Sequence, residues 1–264
     1  AFPSGKSVIE QFQSEFWTEE KTRKGFPVYT EEAPAKNVEF INEITPGKSL
    51  TSSEIAQAHR ACKGMPLRTE VFALDTISSD SNDLEKELTP VSVALNNCQV
   101  RRLQPAQNKQ SGCFIASVSE SFTYLYEQEE EDPRIAQELI LRTDEYNNVL
   151  EKCSIVYPRQ NPDLTLSAYV QKEQEKPYLI LTENTFTNDV IRDNIFRLRQ
   201  PSEVKTFELT AITKEGAFYQ KTDLIDSSFT RIDFHQVPSD LTPEKRCVEH
   251  VKHYFLDHSM ESHL

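Results

Sequence analysis

From Pro66 to about Ala217 apolar and polar residues alternate with a period of two, in PLRTEVFALD, VSVAL, CQVRRLQP, CFIASV, SFTYLYEQ, QELILRT, VLEKCSIVYP, YLILTENTFT and SEVKTFELTAI. Successive side chains of a strand point to opposite faces, so this alternation predicts half-buried strands. The separators SSDSND, QNKQSG, EEEDP and RQNPD are rich in turn formers and charge, which predicts hairpin loops. The expected fold is mainly β, an antiparallel meandering sheet of hairpins.

The sharpest hairpin is RIAQELILRTDEYNNVLEKCSIVYPR. Leu139, Leu141 and Thr143 alternate with Glu138, Ile140 and Arg142; the pattern breaks at 144–148 and resumes at Val149, Cys153, Ile155 and Tyr157. Asn147 and Asn148 suit a left-handed turn, because a short polar side chain can hydrogen-bond locally.

Two short helices are expected, at about 51–64 and 243–257. In the first, Thr51 and Glu54 have capping-box spacing, Ile55, Ala58 and Cys62 share a face, and Gly64 is a stop. In the second, Thr242 would cap, Pro243 would take the first position, and Cys247, Val248, Val251, Tyr254 and Phe255 would form the apolar stripe. Residues 1–50 carry only the strand-like patches SVIEQF and FPVYT around the charged run EEKTRK. The expected organisation is therefore an irregular opening segment over 1–50 and a β-rich segment over 51–264 that stops at MESHL without a closing element.

Composition narrows the function. The chain has 264 residues, 37% of them hydrophobic, with 15 Phe, 9 Tyr and only 6 Gly against 14 Pro. Its mean hydropathy is −0.58. That is enough aromatic surface for a core but a polar balance for a self-contained globule, so the chain reads as part of something larger. A formal charge of −13 argues against a nucleic-acid partner, whose phosphates need Lys and Arg clusters. No run approaches the roughly 18 apolar residues of a membrane span, and the N-terminus has no basic-then-apolar leader. The five cysteines, Cys62, Cys98, Cys113, Cys153 and Cys247, are scattered and odd in number; they read as buried thiols in a chain folded in a reducing cytoplasm.

Candidate chemistry is sparse. Cys247, His250, His253, His258 and His263 would place side chains on adjacent turns of a helix, as a Zn²⁺ or Ni²⁺ site could use. Cys247 falls in the apolar stripe, however, and no second Cys or His pair completes a tetrahedral set, so a solvated helix face is the plainer reading. A Cys or Ser with His59 or His235 and a carboxylate could assemble a nucleophile and base, but there is no G-x-S-x-G, H-E-x-x-H or Gly-rich phosphate loop. The acidic run Glu129, Glu130, Glu131 and Asp132 before Pro133 reads as a solvated loop rather than a Ca²⁺ site. Trp17 reads as ordinary packing. No catalytic, cofactor-binding or metal residue is assigned, and no cofactor is expected.

Taken in order, several stretches resemble the middle-to-C-terminal part of the B component of tripartite bacterial insecticidal-type toxin complexes (Tc toxins). They are KSVIEQFQSEF with FPVYT, ACKGMPLRTEVFALD, SFTYLYEQEEEDPRIAQELILRTDEYNNVLEKCSIVYPRQ, YLILTENTFTN, PSEVKTFELTAI and TPEKRCVEHVKHYF. The likeness runs from about residue 7 to the end. Asn147 stands where that family usually has Gly, and residues 1–50 look shortened or divergent. The resemblance implies a non-catalytic segment of a shell of Rhs/YD-type β repeats. With the C component as partner, that shell closes around the C component's cytotoxic part, and the A component later translocates it. It also implies a released complex assembled in the bacterial cytoplasm. A surface-exposed interaction module of an Rhs-like secreted protein is the rival reading, and an unrecognised enzyme a third.

Overall fold

The computed structural model describes residues 39–41, 50–73, 89–107, 110–127, 132–225 and 228–255. SVIEQF, FPVYT, SSDSND, Trp17, Glu129, Glu130, Glu131, His258 and His263 lie outside them. The chain divides into two units, one of residues 1–137 and 157–176, the other of residues 138–156 and 177–264.

The first unit contains α1 (Ser52–Ala61), which begins where the sequence places it. Thr51 Oγ1 accepts from Glu54 N at 3.3 Å, and Glu54 Oε2 accepts from Thr51 N at 2.9 Å, completing the capping box. The chain leaves the helix through a turn containing Gly64 at φ +88°. Ala58 and Glu54 form the helix's buried side.

Strands β2 (Arg68–Val71), β3 (Ser92–Gln104) and β4 (Cys113–Leu125) follow, with β1 (Glu39–Ile41) parallel to β3. β3 pairs antiparallel with both β2 and β4. Four predicted strands merge here into two long ones: VSVAL with CQVRRLQ makes β3, and CFIASV with SFTYL makes β4. The register irregularity at Asn97/Cys98 breaks the alternation midway, which is why each strand reads as two in the sequence. Val93, Leu95, Val100, Phe122, Tyr124, Tyr126 and Ile135 supply the core. Phe122, Tyr124 and Tyr126, two apart on one face, stack with ring centroids 6.4 and 6.2 Å apart. β5 (Arg134–Thr143) starts in this unit, which closes with α2 (Ala168–Gln174), capped by Ser167.

The second unit holds the rest of β5, then β6 (Val149–Val156), β7 (Tyr178–Phe186), the ribbon β8 (Val190–Arg192) and β9 (Ile195–Arg197), β10 (Pro201–Thr210), α3 (Lys221–Ile225), β11 (Thr230–Ile232) and β12 (Glu244–Lys252). Its hydrogen-bonded order is β5-β6-β7-β10-β12-β11, antiparallel except for β11 against β12. In-register rows build the core. Cys153, Leu181, Phe207 and Cys247 form one row, and Ile155, Leu179, Leu209 and Lys245 the next. The mainly β, largely antiparallel expectation holds.

Over its described residues, 243–255, the helix expected at 243–257 does not form. Glu244–Lys252 is strand β12, paired with β10 along its length, and 253–255 have no regular structure. The stripe of Cys247, Val248 and Val251 satisfies a helical spacing, but short apolar runs carry both readings, and the open edge of β10 offers a ladder of backbone partners that outweighs local propensity. Pro243, expected as first helical residue, instead accepts from Thr230 N at 3.0 Å through its carbonyl. The buried-thiol reading is also corrected in part. All five thiols are free, but only Cys98 and Cys153 are buried, and Cys113 is exposed at the start of β4.

Candidate functional site

The strand assignment of 244–252 removes the geometry behind the histidine cluster. β12 is irregular at Val248, so Cys247 and His250 sit opposite Phe207 and Lys205, two positions apart along β10 rather than on adjacent turns of a helix. His250 Nε2 lies 2.6 Å from Glu203 Oε1, and this contact, followed by Lys205, holds the Glu203 carboxyl down to about 2. Among the described residues no three His, Cys, Asp or Glu side chains converge to hold a metal. His59 is exposed on α1 and His235 is exposed in a turn. Asp132 of the acidic run accepts from Arg159 Nε at 2.8 Å and from Gln160 N at 3.1 Å, which fixes a loop.

The densest polar cluster belongs to the β5–β6 turn. Asp144 Oδ1 accepts from Tyr146 N at 3.0 Å and Asn148 N at 2.8 Å, and Asp144 N donates to Asn148 O at 3.0 Å. Asn147 takes φ 68° at the bend, the left-handed conformation its side chain tolerates. Arg199, just before β10, reaches into this turn. Its Nη1 donates to Asp144 Oδ2 at 3.0 Å and its Nη2 to Glu145 and, at 2.8 Å, to Asp189 Oδ2. Its backbone N donates to Asp189 Oδ1 at 2.7 Å. The guanidinium also lies over the Tyr146 ring, 4.6 Å from its centroid.

Charge is balanced within the cluster. The Arg199 guanidinium lowers the Asp189 carboxyl below the usual range, and Asp189, ahead of Glu145, raises that of Arg199. Burial pushes the Asp144 carboxyl up, but hydrogen bonds from Asn148, Tyr146 and Arg199 outweigh it and leave it lowered. A cation saturated by three carboxylates has little left for a substrate; what it does is fix the β5–β6 turn to the base of the β8–β9 ribbon. Sequence reading missed the ribbon and Arg199. The signal was VIR and IFR around Asp193–Asn194, a two-residue loop between short apolar runs.

A second cluster sits in the first unit. Glu54 Oε1 accepts from Arg102 Nη1 at 3.1 Å and from Ala106 N at 3.1 Å, with both charged side chains buried. Backbone donation from Thr51, then from Ala106, holds the Glu54 carboxyl down to about 2. In the same unit Tyr157 Oη donates to Gln137, whose amide donates to Glu120, each at 2.6 Å. These networks pair buried polar groups with one another, as structural networks do.

Residues 57–198 match the family described as insecticide toxin TcdB middle/C-terminal region. The chain belongs to that family. Its fold is shared with solved toxin-complex chains. Over 97% of this chain it is similar to TcdB2-TccC3 without the hypervariable C-terminal region, with a TM-score of 0.66 and 21% identity. Over 76% it is similar to TcdB2-TccC3, with a TM-score of 0.56 and 23% identity, and to the Photorhabdus luminescens Tc holotoxin pore, with 0.54 and 22%. The chain spans only 12%, 10% and 9% of those three solved chains respectively. No curated protein matches. No helix among the described residues is long and apolar enough to cross a membrane.

Proposed function

We propose that this chain is a non-catalytic structural segment of a toxin-complex B component. In this reading residues 51–264 are a stretch of wall in a hollow β shell of the Rhs/YD type. Together with the C component, that shell encloses the C component's cytotoxic part until the A component translocates it. The complex is released from the cell after assembly in the bacterial cytoplasm.

The single observation that carries the reading is the match of residues 57–198 to the TcdB middle/C-terminal family. The physical features agree with it. Strands of up to 13 residues pair into antiparallel ladders, and such ladders wound into a closed wall leave few open edges to aggregate. The polar clusters of the β5–β6 turn and of α1 hold turns and a helix in place.

The test is to co-express the parent B component with its C component and image the purified complex by electron microscopy. A closed hollow particle with this segment in its wall is the expected outcome. A compact domain hanging outside the wall would favour the interaction-module reading instead.

A further inference from the structure

Three sulfur-bearing side chains gather where α1 hands over to the sheet of the first unit. Cys62 caps the end of α1, and Met65 N donates to Cys62 O at 3.1 Å in the turn that contains Gly64. Pro66 and Leu67 are tied to β3, since their carbonyls accept from Asn96 Nδ2 at 3.1 Å and from Asn96 N at 2.9 Å. That sets Met65 against Cys98 of β3, with Sδ and Sγ 3.7 Å apart and Cys98 1% exposed. Cys62 comes from the helix side. It stands four residues after the fully buried Ala58, whose carbonyl its Sγ contacts at 3.7 Å, so it shares the buried side of α1. The spacing along the two elements matches as well. Glu54 to Cys62 is about 12 Å of helix, and Arg102 to Cys98 is about 13 Å of strand. With Glu54 fixed on Arg102 at one end and Met65 on Cys98 at the other, Cys62 arrives over Cys98.

The electrostatics agree with that placement. Burial, and after it the charge of Cys62, push the Cys98 thiol up, and burial does the same to Cys62. Thiols held protonated are poor nucleophiles, but beside a thioether they make a soft ligand set that yields its protons to a soft cation. The donor types select the ion. A structural zinc takes four ligands from Cys, His, Asp and Glu, and an iron–sulfur cluster takes four thiolates. Among the described residues no three His, Cys, Asp or Glu side chains converge, which leaves two thiols and a thioether, a set suited to Cu(I). Metal–sulfur bonds of about 2.3 Å put the sulfurs of a tetrahedral or trigonal site about 3.8 to 4.0 Å apart. The Met65–Cys98 pair already stands at 3.7 Å.

We propose that Cys62, Met65 and Cys98 form a Cu(I)-binding site that pins the end of α1 to β3. On binding, both S–H bonds break and two protons leave to solvent. Copper–sulfur bonds form to the two thiolates and, through a sulfur lone pair, to the Met65 thioether, and the metal stays Cu(I) throughout. Cys62 and Met65 are half-buried, which gives the ion a way in. The site goes beyond the shell-segment reading and does not depend on it.

The test is an anaerobic titration of the reduced parent chain with Cu(I), in competition with the chelator bicinchoninate. Wild type is expected to retain one equivalent of Cu(I) more than Cys62→Ser, and its melting temperature to rise on loading where that of the variant does not. Met65→Leu conserves volume and so keeps the fold, yet removes the thioether. It is expected to weaken that equivalent about ten-fold or more. Cys113→Ser, at the exposed start of β4, is the control and should match wild type. Equal retention by wild type and Cys62→Ser overturns the proposal. So does an unchanged affinity in Met65→Leu, which would reduce the site to thiols alone, or a matching loss in Cys113→Ser, which would mark indiscriminate binding to any cysteine. Failure of the shell reading is recognised separately, by the absence of a hollow particle from the wild-type complex.

Discussion

Arg199 Nη1 donates to Asp144 Oδ2 at 3.0 Å, joining two residues 55 positions apart in the chain. Through that contact and the Asp189 pair, one guanidinium ties the β5–β6 turn to the root of the β8–β9 ribbon. A planar fork spreads its donors over Nε, Nη1 and Nη2 and so reaches carboxylates at different positions, whereas the three N–H donors of a lysine sit on one atom and cannot span them. Arg199→Lys is therefore expected to lower the melting temperature nearly as much as Arg199→Ala, with faster hydrogen exchange at residues 144–148 and 189–199. Full retention of Tm by the lysine variant would show that charge alone suffices.

Glu54 makes stability depend on acid. Its folded carboxyl is held down to about 2 by the Thr51 and Ala106 backbone donors and by Arg102, below the ordinary 4.5 of the unfolded chain. A depressed folded value means that the contribution is present above about pH 4.5 and drains away as pH falls toward 2. Glu54→Gln is expected to be less stable at pH 7 and to have a flatter decline between pH 5 and 2, read from melting temperature against pH. Parallel curves for variant and wild type would refute the assignment.

At Asn147 the backbone sits at φ 68°. A β-branched side chain there costs about 1–2 kcal/mol, so Asn147→Val should lower the unfolding free energy from a urea titration by about that amount, and the midpoint by that amount divided by the m-value. Asn147→Gly should be close to neutral. Asn147→Pro should do most damage, because it fixes φ negative and removes the N–H that donates to Asp144 O at 3.1 Å. Unchanged melting of the proline variant would mean that the turn is misassigned.

Leu139 is 2% exposed in the core of the second unit. Leu139→Ala should cost about 2–5 kcal/mol through lost burial and the cavity left behind. Val156→Ala, at a side chain 49% exposed at the end of β6, should cost under about 1 kcal/mol. Denaturant titration of the two variants separates them, and a small loss at Leu139 would place the core elsewhere.

Much of this fold is written locally. The capping box of Thr51 and Glu54, the alternation of Leu139 against Glu138, and the turn at Asn147 each depend on residues a few positions apart, so each is legible in the sequence alone. Arg199 is not legible in this way. Its partners Asp144 and Glu145 lie more than fifty residues upstream, and an arginine in the stretch RLRQP carries no local mark of what it will meet.

The sequence by itself determined that the chain is mainly β, where most of the strands and the first helix lie, and that its residues resemble a toxin-complex B component. Period-two alternation and capping chemistry are short-range properties, fixed by backbone geometry. Tertiary structure alone decided that 244–252 is a strand, that β3 and β4 each run unbroken through an irregularity, and that Glu54 and Arg102 are buried together. Those outcomes turn on which backbone edges and charges meet across long separations. Glu244–Lys252 took the strand form because β10 presented it with an edge to pair, and no spacing within those nine residues records that edge.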